Sequence, residues 1–113
     1  MATQGLLSIV KNNVVLAKIV AGCNGDEIAE LLYKVRTTSD YSSNNLFKLA
    51  RSVAFGGSDS LVVMARESNE VMFAENADMT DQDKSHYLET FNNPEWNPRW
   101  RFGTADYVEV INL

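Results

Sequence analysis

The chain has 113 residues, of which 45% are hydrophobic and 22% charged, with a net charge of −5. These values describe one α+β domain over residues 1–113, able to bury roughly two-thirds of its unfolded surface without staples, and they exclude a multidomain enzyme. One cysteine, Cys23, leaves no internal disulfide, and with His86 as the only histidine a structural zinc site of Cys and His ligands is excluded.

Residues 6–10 and 14–21 are rich in β-branched side chains and are separated by Lys11, Asn12 and Asn13, which predicts a hairpin because Asn tolerates positive φ. Strict alternation puts Val15, Ala17 and Ile19 on one face of the second strand and Val14, Leu16, Lys18 and Val20 on the other. Both faces are largely apolar, so this strand is expected to be central and covered on two sides. Gly22, Cys23, Asn24 and Gly25 then end the strand, with Asn24 as N-cap and Glu27 as its capping-box partner. Ile28, Leu31, Leu32 and Val35 give the first helix its apolar stripe. A second helix begins near Ser42 or Ser43, stapled by Tyr41 onto Leu46, with Leu49, Ala50 and Val53 inward and Gly56 as its stop.

The run over residues 60–66 suits an interior strand, and residues 71–74 return from a turn at Ser68 and Asn69 as a second hairpin. Thr80 and Asp83 have capping-box spacing, so a third helix follows, with Lys84, Tyr87, Leu88 and Phe91 along one side. Residues 92–103 contain Pro94, Pro98 and Gly103 and read as a loop; residues 104–112 alternate as a last strand. The sum is two β-hairpins plus a C-terminal strand in one sheet of about five strands, covered by two to three helices.

Charge is unevenly placed. Residues 67–95 carry eight acids against Lys84 alone, whereas residues 1–66 carry five acids and seven bases. Direct nucleic-acid binding is disfavoured, since phosphate contact depends on clustered Lys and Arg. The acidic stretch, with Glu75, Asp78, Asp81 and Asp83, either solvates the domain or faces a basic partner. No apolar run approaches the ~18 residues of a membrane span and no basic leader precedes one, so a cytoplasmic location away from the membrane is expected.

Chemistry-bearing clusters are few. Cys23 precedes a helix, where a thiolate is favoured, but nothing around it or His86 completes a nucleophilic dyad motif. Asp78, Asp81 and Asp83 lack the glycine and distal glutamate of a calcium loop, and neither Gly-rich turn completes a phosphate-binding fingerprint, so no metal or cofactor is expected. The leading feature is Trp96, Asn97, Pro98, Arg99, Trp100, Arg101 and Phe102: both tryptophans, two arginines and a phenylalanine on a proline-stiffened loop. Aromatic faces stack, arginine forks grip carboxylate or phosphate, and proline lowers the ordering cost, which is the composition of a binding hot spot. Asn92, Asn97 and Tyr107 complete the candidate contact set. The competing structural role is a lid in which the indoles close an open side of the core.

The sequence therefore points to a small non-enzymatic binding module, homo-oligomeric because its strands are apolar on both faces, that takes a partner protein or a planar anionic ligand. Two alternatives stand beside it: an acidic inhibitor that blocks a basic nucleic-acid-binding surface of a larger protein, and a small enzyme dependent on Cys23.

Overall fold

Asn12 and Asn13 both take positive φ, 52° and 64°, and close the first hairpin as a tight turn. The computed structural model describes residues 3–22, 25–53, 61–75, 79–96, 98 and 105–113. Strands β1 (Gly5–Lys11) and β2 (Val14–Ala21) pair antiparallel, with Ile9 opposite Ala17 and then Val10 opposite Val15. Leu16 is the extra residue of a bulge, and the bulge reverses the side-chain alternation beyond it. Val15 consequently joins Leu6, Val10 and Val20, while Ala17 and Ile19 face the other way. That corrects the strict alternation read from the sequence.

A single turn of 3-10 helix, Gly25–Glu27, leads into α1 (Ile28–Arg36). A Cβ on Gly25 would sit 2.3 Å from the carbonyl carbon of Gln4, so only glycine lets this turn lie against the chain entering β1. Its N–H donates to the Thr3 carbonyl at 2.9 Å. The helix proper starts at Ile28, and Glu27 makes no side-chain capping bond; Asn24 lies outside the described residues. Ile28, Leu31 and Val35 are buried. Helix α2 (Ser43–Arg51) is capped by the Ser42 hydroxyl, which accepts from the Asn45 N–H, and buries Leu46 and Ala50. It ends at Arg51 with Ser52 as its C-cap, and the expected stop at Gly56 lies outside the described residues.

Strands β3 (Val62–Glu67) and β4 (Glu70–Glu75) form the second hairpin around Ser68, whose φ is 57°. Thr80 and Asp83 make both bonds of the capping box that opens α3 (Asp81–Glu89). Leu88 departs from its expected inward place. It is 44% exposed, and the apolar contacts come from Tyr87 and from Phe91 in the turn beyond the helix.

Strand β5 (Tyr107–Asn112) pairs parallel with β1, and the sheet order is β4-β3-β2-β1-β5. Helices α1 and α2 cover one face, over Leu7, Ile9, Ala17, Ile19, Val63 and Ala65. Helix α3 and the chain after it cover the other, over Leu6, Val10, Val15, Val20, Val62 and Met64. The expected one-sheet α+β architecture is observed, and β2 is its middle strand, buried on both sides. Both apolar faces are thus closed within one chain. No described helix is long and apolar enough to cross a membrane.

Candidate functional site

The face beneath α3 contains the one charged side chain of the described core. Lys18 projects from the middle of β2 with no exposed surface, between Ser8 on β1 and Met64 on β3. An unpaired buried ammonium is costly, and here its donors meet two main-chain oxygens. Nζ donates to the carbonyls of Thr90 and Trp96, each at 2.8 Å. Ser8, equally buried, donates from Oγ to the Pro94 carbonyl at 2.5 Å. Arg66 of β3 lies over the Phe91 ring at 5.2 Å and donates through Nη2 to Asn92 Oδ1 at 2.8 Å. Three strands thereby hold residues 90–96 by side-chain bonds to that segment. Burial pushes the Lys18 ammonium down from 10.5 to about 8, and no described carboxylate bonds to it.

The candidate residues separate around this seat. Trp96 is partly buried, its carbonyl is held by Lys18, and its Nε1 is buried with no hydrogen-bond partner among the described residues. The described part of the loop, as far as Trp96, is thus held against the sheet; Trp100, the other indole of the lid alternative, lies outside the described residues. Asn92 is exposed, with its amide oxygen engaged by Arg66. Tyr107 is 46% exposed on β5, next to Val108 at 37%. Asn97, Arg99, Trp100, Arg101 and Phe102 lie outside the described residues. So do Cys23 and Asp78, while Glu75 ends β4 and Asp81 and Asp83 are exposed on the first turn of α3. Asp83 is occupied in part by capping, accepting from the Thr80 N–H at 3.2 Å. His86, the other half of a conceivable Cys23 dyad, is exposed. Among the described residues no group of three or more His, Cys, Asp or Glu side chains is placed to hold a metal ion.

On the far side of the arginine-bearing stretch the chain is fixed again. Ala105 packs against the apolar cluster under α3, Asp106 accepts from the Gln4 N–H at 2.8 Å, and the Tyr107 N–H donates to the Gln4 carbonyl at 3.1 Å. No known protein family, curated protein or solved structure matches the chain.

Sequence reasoning overlooked Lys18, Ser8 and Arg66. A signal existed for two of them. Lys18 interrupts an otherwise apolar strand whose two faces both need covering, and Ser8 interrupts Leu6, Leu7, Ile9 and Val10 in the neighbouring strand. Polar residues in such runs are buried and must find partners.

Proposed function

We propose that the protein is a non-enzymatic binding module whose contact element is the stretch carrying Arg99, Trp100, Arg101 and Phe102. The observation that carries this reading is the anchoring of both flanks: Lys18, Ser8 and Arg66 hold residues 90–96, and Gln4 holds Asp106 and Tyr107. Fixed ends reduce the conformational entropy lost when a loop engages a ligand. The exposed ring of Tyr107 and the Val108 side chain adjoin one flank and extend the apolar contact area. By chemistry the ligand is a partner protein, or a planar anion stacked on an indole and clamped by arginine. Self-association through β5, the outer strand where Tyr107 and Val108 are exposed, belongs to the same proposal and is read by light scattering.

Native mass spectrometry of protein purified from its own cells tests the reading. The wild-type chain carries a bound partner or ligand, and the Trp100→Ala, Arg101→Ala double variant loses it with an unchanged circular dichroism spectrum. Retention of the bound species by the double variant contradicts the proposal. A second reading, an acidic inhibitor of a basic nucleic-acid-binding surface, draws on the exposure of Asp81, Asp83 and Glu89 along α3. It predicts partner affinity that falls steeply with salt and with Asp81→Asn.

A further inference from the structure

We propose that Lys18 is a positioning residue whose proton sets how tightly residues 90–96 seat on the sheet, with protonation favouring release and deprotonation favouring the seated form. One amine spans the segment, donating to the carbonyl that follows α3 and to the carbonyl of Trp96. It has no exposed surface, on the face that carries Leu6, Val20, Met64 and Phe91, so the seated form has nowhere to hydrate an ammonium. The charged groups on the surrounding elements do not neutralise it: Arg66 on β3 is a second cation, Glu89 and Glu95 are exposed, and no described carboxylate bonds to the amine. His86 and Lys84 on α3 carry no negative charge. When the segment lifts, the amine meets water and its ordinary proton affinity returns.

The direction follows from which form holds the proton more tightly. Burial places the seated amine at about 8 and hydration restores 10.5, so in that window the released form binds more protons. Raising pH through it favours seating, by at most about tenfold in the seating equilibrium per pH unit. Below the window both forms are charged and seating does not respond to pH. For binding, this rests on the reading that the neighbouring arginine and tryptophan loop is the contact element: its base is firmer at alkaline pH.

The test needs no ligand and so fails independently of that reading. The full chain is labelled with 13C-lysine and 5-fluorotryptophan and followed by NMR from pH 6.5 to 10.5. Single variants of Lys11, Lys34, Lys48 and Lys84 assign the Lys18 signal by elimination, so assignment does not depend on a Lys18 variant folding. The expected result is a Lys18 Cε titration near 8 and a Trp96 fluorine signal whose seated fraction rises across the window, with no such rise in Lys18→Met. A Lys18 titration in the same range as the other four lysines, or an unchanged Trp96 response in Lys18→Met, overturns the proposal.

Discussion

The two faces of the sheet are closed by different means. Under α1 and α2 the contact is apolar except at the start of α2, where the buried Ser43 donates from Oγ to the Glu67 carboxylate at 2.8 Å; elsewhere Leu31, Val35, Leu46 and Ala50 meet Leu7, Ile9, Ile19 and Val63. Under α3 the helix itself gives only Tyr87 to the interior, and the covering is completed by a non-helical segment that Lys18, Ser8 and Arg66 hold by its oxygen atoms. Hydrophobic burial is non-directional, whereas a buried hydrogen bond fixes one position of the chain. The first face supplies stability, and the second places a particular stretch of backbone at a particular spot.

That contrast can be broken most severely from the helical side. Leu31→Ala removes a fully buried side chain from the apolar cluster and is expected to cost about 2–5 kcal/mol in urea unfolding. The second test sharpens the contrast by pH. The folded-state proton affinity of Lys18 lies below its unfolded value, so from about 8 toward 10.5 the unfolded chain holds the extra proton and stability rises with pH. The contribution has a limiting slope of about 1.4 kcal/mol per pH unit, read as the difference between wild type and Lys18→Met. An Ile19 substitution on the opposite face leaves that difference in place.

Smaller effects are expected from single bonds. Thr80→Ala removes one half of the capping box and costs about 1 kcal/mol in thermal unfolding. Ser8→Ala deletes the bond to the Pro94 carbonyl and costs about 1 kcal/mol, while hydrogen exchange at residues 93–96 accelerates more than in α1. Leu88→Gln changes stability by less than about 0.5 kcal/mol, because that side chain faces solvent.

Much of the architecture was legible because local signals agreed with one another. The Asn12 and Asn13 pair, the Thr80 and Asp83 spacing and the stripes of α1 and α2 each name a backbone geometry, and each recurs in the fold. The inward turn of Val15 was not legible, since a bulge at Leu16 depends on pairing with β1 rather than on the residues of β2 alone. Leu88 misled for a related reason: α3 is so polar that its orientation is set by Tyr87, Phe91 and the following segment, not by a stripe. At the candidate site, composition marked Trp96 and its neighbours, but the partners that fix the backbone come from residues more than 70 positions away, Lys18 and Ser8.

The closure of the second face requires Lys18 to be sealed beneath residues 90–96. Brief treatment of the native protein at pH 8 with an amine acetylating reagent, followed by peptide mass spectrometry, measures this directly. The exposed Lys11 and Lys48 are expected to be modified rapidly and Lys18 only after denaturation. Modification of native Lys18 at the rate of Lys11 contradicts the account.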